Sequence, residues 1–590
     1  MDDRYYTEEL SYLLDLSKEF SHRHSDKAQM LHFEDVRSRE PNLERLLESF
    51  AFLSSRIRKR LDDDFPQIAD GLFSLVWPGY VNFLPSCCLA EFSPQAGIFT
   101  ESATIPKGAM IDSEPSQNNI RCRFRTTLDV DILPIKLSKV AVELKGSTSV
   151  MTMTFGIFEK ADRSSLANRR LRIHIVDDPM SSFQLFDLLL GMDDGLPNVR
   201  SITLSAFTFE NESLGSWNLS HDAITPVGLT QAELLLPTHK SALWRFDLLR
   251  EFFLFPLKFL AFELDVLKYA ATHIEIDTFA VAFHIEREWP ADLHLSKKQF
   301  RLNSVPIINL FKHEAAPIRL DGNTHQYTVV GDIQNPEYFQ VYSIDKVESV
   351  EGGILNPIVY EPLYAADSYT APSTESKRTY AVDRSKASWD GWETVIRFFN
   401  SSIDNEFSEE EIVSLWTTCT NGHLTDKLSI HQIHFPVSDI KEGLNVQNIT
   451  PPTRFFVPDI ENISLWRWMS HAALNTLSIQ SSERFRSFLL LHDFTNADTN
   501  RRKVEGINSI HMKPIRVLSK GALISGIAVE LAIQEDKFVH LGEIQLFARI
   551  LSVFLTSYAS MNSCIQLTVT ALPSNHRIIF EPGIGEGHCL

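Results

Sequence analysis

Residues 41–86 read PNLERLLESFAFLSSRIRKRLDDDFPQIADGLFSLVWPGYVNFLPS. Leu43, Leu46, Leu47, Phe50, Leu53, Ile57, Leu61 and Phe65 recur every three or four residues, which draws one apolar stripe along a helix. Glu44, Arg45, Glu48, Arg56, Lys59 and Asp63 fall largely off that stripe. Pro66 cannot continue the helix but suits the first position of another. Ile68, Leu72, Leu75 and Val76 supply a second apolar set before Trp77-Pro78-Gly79. The spacing predicts a long helix, a tight corner, a short helix and an exit into extended chain. A stripe of this kind serves either a core within the chain or a bundle shared with other subunits.

At 590 residues the chain has room for several domains. Its 56 Lys and Arg stand against 76 Asp and Glu, a net charge of −20. That balance opposes non-specific nucleic-acid binding, which needs a basic footprint, and adhesion to an anionic membrane surface. Phe is unusually common, at 40, which suits wide buried surfaces in cores or between subunits. The six cysteines, Cys87, Cys88, Cys122, Cys419, Cys564 and Cys589, are sparse and form no C-x-x-C, the pattern of a reduced cytosolic protein. The opening MDDRYYTEEL is acidic and lacks the apolar run of a secretory signal. LREFFLFPLKFLAFELDVL is broken by Arg250, Glu251, Lys258, Glu263 and Asp265, and LFARILSVFLTSYASM by Arg549, so no membrane span is expected.

Outward from the opening stretch the pattern is α+β and multidomain. A helical N-terminal region covers residues 1–80, with Tyr6, Leu10, Leu13, Leu14 and Phe20 as a partial stripe. A β-rich domain is expected over 81–165, where Arg121–Arg125, Val140–Leu144 and Met151–Phe158 alternate with period two. Residues 166–300 mix strands with helices, and Pro256 must split any helix over 243–262. A second β-rich domain spans 301–460, with a polar exposed loop near 365–392. A C-terminal α/β domain over 461–590 contains helices at 466–474 and 483–491, a strand at 524–533, a helix at 541–561, a strand at 564–571 and a frayed glycine-rich tail. Most of the strands are expected to pair antiparallel.

The patterns of catalysis are absent or out of context. There is no G-x-S-x-G, no H-E-x-x-H and no P-loop, and His313-Glu314 leads only to Pro317. His22, His24 and His32 lack the spacing and carboxylate partner of a metal site. Asp62-Asp63-Asp64 could gather a metal, but acids ahead of Pro66 favour the start of a helix. Gly583, Gly585 and Gly587 precede no helix that could hold a phosphate. Asn448-Ile-Thr fits a glycosylation sequon in a chain with no route to that machinery. Trp389, Trp392 and Trp416 could stack sugars, although tryptophan more often packs cores and interfaces. No cofactor and no metal are expected.

Resemblance adds to this reading. Glu40–Leu53, Leu61–Pro66, Pro78–Tyr80 and Pro85-Ser86 resemble the N-terminal signature of the TssF (VasA, ImpG) family of type VI secretion baseplate subunits. Tyr5–Leu10, Ile105–Gly108, Cys122–Thr126, Leu249–Phe253 with Pro256 and Lys258-Phe259, Pro306–Phe311 and Tyr558–Ser563 are similar to later landmarks of that family. Glu40 stands where the family more often has Asp, and Phe580–His588 replaces a basic, Arg-rich end. The resemblance implies a fold like the wedge proteins of contractile tails and a structural, non-enzymatic role. It further implies two copies per TssG, docking on TssK and assembly around the VgrG spike as a platform for tube and sheath. The setting would be a cytoplasmic baseplate docked on the inner-membrane complex, without nucleic acid or membrane insertion. On this reading the stripe from Leu43 to Phe65 becomes a subunit interface. A phage or phage-like wedge protein is the alternative expectation, and a carbohydrate-active hydrolase the remote one.

Overall fold

The computed structural model describes residues 45 and 48–56 and most of 82–585; outside it lie 1–44, 57–81, 238–243, 271–275, 351–356, 364–377, 401–410, 459–480, 586–590 and shorter gaps. Two compact units are present, Met1–Val76 with Ser464–Met469, and Trp77–Ile463 with Ser470–Leu590. In the first, residues 48–56 are helical as the stripe predicts. The proline corner, the short second helix, and the helices expected near the N-terminus and at 466–474 lie outside the described residues.

The second unit begins with a six-stranded antiparallel sheet. Its order is Ile433–Pro436, Met110–Pro115, Arg121–Thr126, Ser304–Ile308, Cys87–Pro94 and Leu444–Asn448. Phe92, Ile111, Phe124, Val305, Ile307 and Ile433 fill its interior. Asn448 draws the two outer strands together. Its Oδ1 accepts from Ile433 N at 2.9 Å, and its Nδ2 donates to Ser429 O and Thr450 O, each at 3.0 Å. Its carbonyl accepts from His431 N at 3.1 Å. One buried residue thereby ties the start of one edge strand to the end of the other.

A five-stranded sheet follows, Ser213–Ser220, Val199–Phe207, Thr278–Ile285, Thr148–Ile157 and Ile135–Lys145, beside a four-stranded one built on Ala261–Leu264 and Leu171–Ile175. The helix Pro179–Leu190 packs against strands of both. Asp178 caps it by accepting from Ser181 N at 2.9 Å, and Pro179 takes the first turn, where its missing N–H costs nothing. Trp244–Leu254 is helical and stops short of Pro256, which starts the 3-10 turn Pro256–Phe259. Every residue from Arg245 to Leu254 is buried.

An eight-stranded sheet includes Ile412–Thr420, Gln340–Val350, Ile358–Pro362, Arg378–Lys386 and Trp392–Asn400 as consecutive neighbours. The exposed loop expected near 365–392 is corrected over 378–386, while 365–377 lies outside the described residues. Arg378–Lys386 is an interior strand in which Tyr380 and Ala381 are buried. Its four charged residues, Arg378, Asp383, Arg384 and Lys386, hid that pattern in the composition. Arg384 donates to Tyr342 O at 3.0 Å and pairs with Asn82, and burial pulls its pKa down to about 10.

In the C-terminal region Ala522–Gln534 runs parallel to Ser563–Leu572, with the helix Leu541–Leu555 crossing between them. That helix ends six residues before the expected Met561, passing into the 3-10 turn Thr556–Tyr558. The strand Ile507–Ser519 and the helix Asp498–Glu505 had no counterpart in the sequence reading. The tail is not frayed where it is described. Gly583–Ile584 pairs with Cys564 and Ile565, and a Cβ at Gly583 would lie 2.3 Å from Thr556 Oγ1. Glycine is used there so that the backbone can approach the end of the helix. Most pairings in the fold are antiparallel, with the helices packed on the sheets and the crossover strand pair as a parallel exception.

Asn448→Ala should lower the unfolding free energy by roughly 1–3 kcal/mol, because it leaves Ile433 N–H buried without its acceptor. Urea denaturation followed by tryptophan fluorescence measures this; an unchanged midpoint would show that the seam contributes nothing.

Candidate interaction interface

The described helix near the N-terminus inverts the usual arrangement of side chains. Ala51 and Ser55, one turn apart, are buried. Phe50 is 60% exposed and Leu53 58%, and Phe52 is exposed beneath the Arg56 guanidinium, 5.4 Å from the ring centroid. Large apolar groups facing water beside small buried ones make this face a candidate contact surface. Leu43, Leu46, Leu47, Ile57, Leu61 and Phe65 belong to the same predicted stripe and lie outside the described residues.

Several residues of the later sequence landmarks are interior. Glu251 and Lys258 form an ion pair almost wholly withdrawn from water. Glu251 Oε1 also accepts from Leu235 N at 2.7 Å and Leu236 N at 2.9 Å. The Lys258 ammonium lies 4.8 Å from the Phe259 ring centroid. Asn309 is fully buried. Its Nδ2 donates to Arg123 O and Asn421 Oδ1, each at 2.8 Å, and its Oδ1 accepts from Thr420 Oγ1 and Asn421 N, each at 2.7 Å. All four hydrogen bonds that an amide can readily make are used. Asn562 holds φ +62°, a left-handed conformation that asparagine tolerates better than most residues. Glu251, Lys258, Asn309 and Asn562 therefore each fix backbone or bury charge.

A nucleophile–base pair does occur. Ser304 Oγ lies 2.8 Å from His174 Nδ1, yet both residues are buried and no substrate can reach them. Burial, reinforced by Arg172, lowers the His174 pKa to about 3. The thiols are similarly inert, since burial pushes Cys122 up to about 12 and Cys419 up to about 11, and the thiolate is the reactive form. Among the described residues no group of three or more His, Cys, Asp or Glu is placed to hold a metal ion. Likewise among them, no helix is long and apolar enough to cross a membrane. The candidate metal residues His22, His24, His32 and Asp62–Asp64 lie outside the described residues, as does Trp389. Trp392 lines a narrow cleft with Val329, Phe339 and Glu393, its single carboxylate. Trp416 lies instead under the Lys346 ammonium. A glycosidase uses two carboxylates flanking one bond, and this cleft supplies one.

The family model described as "Type VI secretion system, TssF" matches residues 2–587. The chain is 24% identical to the type VI secretion system component TssF1 of Pseudomonas aeruginosa PAO1, covering 97% of this chain and 96% of that protein. Among solved structures it resembles a chain of the type VI secretion system TssK-TssF-TssG baseplate subcomplex. That match has a TM-score of 0.75 and 26% identity over 92% of this chain and 100% of the other. A chain of a type VI baseplate complex shares the fold at a TM-score of 0.60 and 22% identity, with 99% of each chain covered.

His174 also makes stability depend on pH. Its folded pKa lies below the unfolded value of about 6.5, so the folded state resists a proton that the unfolded chain accepts. Its contribution is complete above pH 6.5 and is lost as pH falls from there towards 3, at up to about 1.4 kcal/mol per unit. His174→Gln should flatten the fall in urea midpoint between pH 7 and pH 5; an identical slope in both proteins would assign the loss to other groups.

Proposed function

The chain belongs to the TssF family and is a structural subunit of the type VI secretion baseplate wedge, and we propose that it works through apolar contact faces held on a rigid interior. The observation that carries this reading is the near-complete fold match to a chain of the TssK-TssF-TssG subcomplex. TssG and TssK are its partners in the wedge. The exposed Phe50 and Leu53 support a further step, that the stripe from Leu43 to Phe65 enters a helical bundle with TssG and a second copy of this chain. On this proposal two copies embrace one TssG, and the wedges surround the VgrG spike beneath tube and sheath. The assembled baseplate would sit in the cytoplasm against the inner-membrane complex. Opening of the baseplate would then be a rearrangement of wedges without a chemical step. Large apolar interfaces are the ordinary requirement of an obligate assembly.

Phe50→Asp with Leu53→Asp tests the bundle. Both side chains are already exposed, so circular dichroism of the isolated variant should match the wild type, while its co-purification with TssG should fall at least about tenfold because carboxylates would be buried in the bundle. Full retention of TssG would exclude this face from the interface.

A further inference from the structure

The C-terminal hairpin outruns the core beneath it. Its strands, Ile507–Ser519 and Ala522–Gln534, have 13 residues each, about 40 Å at the usual rise of a strand. At the base, Val529, Leu531 and Ile533 face the Leu541–Leu555 helix side of the sheet and are buried. Toward the tip the same face carries Leu518 and Leu523, paired across the ladder and 72% and 64% exposed. The opposite face holds Ile515, Val517 and Ile524, all half-buried. Toward the tip both faces of the ribbon thus carry apolar residues, exposed on one and half-buried on the other. Ile507–Ser519 is also the edge of its sheet among the described residues.

Charge distinguishes this tip from the rest of the chain. Residues 506–529 contain no Asp or Glu, although the whole protein carries −20, and they include His511, Lys513, Arg516 and Lys520. Lys513 is paired with Glu530 at 2.9 Å. Arg516 is exposed and makes no ion pair among the described residues. A basic, apolar, projecting ribbon on an acidic body is complementary to a socket with an apolar floor and a carboxylate rim. An anionic bilayer would attract the tip but repel the body behind it. A socket elsewhere on this same chain would be a head-to-tail contact, which closes into a ring or runs into an open filament, and it would bring together two bodies that each carry −20 and repel.

Resting on the baseplate reading above, we propose that the hairpin tip is a plug that enters an acidic-rimmed apolar groove on a different protein subunit of the wedge. Leu518 and Leu523 fill the groove and Arg516 meets its rim.

The test places the photocrosslinking residue benzoylphenylalanine at position 518 of the full chain, co-expressed with TssG and TssK. Irradiation of the purified complex should join position 518 to a TssG or TssK peptide bearing Asp or Glu beside apolar residues. Arg516→Glu in the same protein should cut the yield about tenfold, as reversal of a rim charge does. Failure of the unmodified chain to purify with TssG and TssK would instead sink the baseplate reading. If the complex forms, a crosslink confined to a second copy of this chain, the absence of any crosslink, or flotation of the isolated chain with phosphatidylglycerol vesicles that Leu518→Ser abolishes would each overturn the plug.

Discussion

Glu251 and Lys258 neutralise each other in a place that water does not reach, and much of the larger unit is arranged around them. Two charges this deeply buried are tolerated only with good geometry and further hydrogen bonds; removal of either leaves the other unpaired at a cost of several kcal/mol, about 3–5 in comparable cases. The Leu235 and Leu236 amides complete the coordination of the carboxylate. Cys87, at the start of the first strand of the six-stranded sheet, lies within electrostatic reach of both charges, and its thiol is held in the neutral form chiefly by burial. The pair therefore joins the Trp244–Leu254 helix, the 3-10 turn behind it and the Leu235-Leu236 segment.

The same helix reaches the other layers. Asp247 accepts from Arg250 at 3.0 Å, and both lie within electrostatic reach of Tyr342 in the eight-stranded sheet. Phe252 stacks on Phe547 at 5.4 Å, and Phe246 meets Phe554 edge-on at 5.1 Å, so the C-terminal helix is packed against it. An interior held by directional polar contacts has fewer competing arrangements than one held by apolar packing alone. That suits a platform whose contact faces must keep fixed positions while neighbouring subunits bind.

The local patterns were legible where burial follows period two or a proline interrupts a helix. Arg121–Thr126 buries every second residue, and Pro256 divides its segment as expected. Long-range assembly was not legible. The six-stranded sheet takes strands from 87–126, 304–308 and 433–448, which the sequence reading divides between its 81–165 and 301–460 domains. Nothing local in Asn448 announces that its amide closes a seam, and its sequon context pointed elsewhere. Arg378–Lys386 was obscured because two of its charged residues turn inward, Arg378 to buried Glu411 and Arg384 to a carbonyl, while Val382 faces out. The stripe from Leu43 to Phe65 was visible as periodicity, but period alone does not say whether a face meets its own chain or another. Of its members, Phe50 and Leu53 are exposed rather than packed in the chain's own core.

The distribution of polarity also explains why the sequence looks catalytically empty while many of its recognisable landmarks are polar. Glu251, Lys258 and Asn309 are inside, holding backbone and charge, while Phe50, Leu53, Leu518 and Leu523 are outside. An enzyme needs reactive polar groups that a substrate can reach; a Ser–His pair sealed in a core meets the geometry and fails on access. An assembly subunit needs the opposite arrangement, with internal polar constraints and large apolar groups at its margins. The net charge of −20 is compatible with those margins because the acidic body keeps copies apart in solution, whereas the acid-free hairpin tip can still approach a carboxylate-rimmed groove. Solubility before assembly and adhesion during it are thereby assigned to different parts of the same surface.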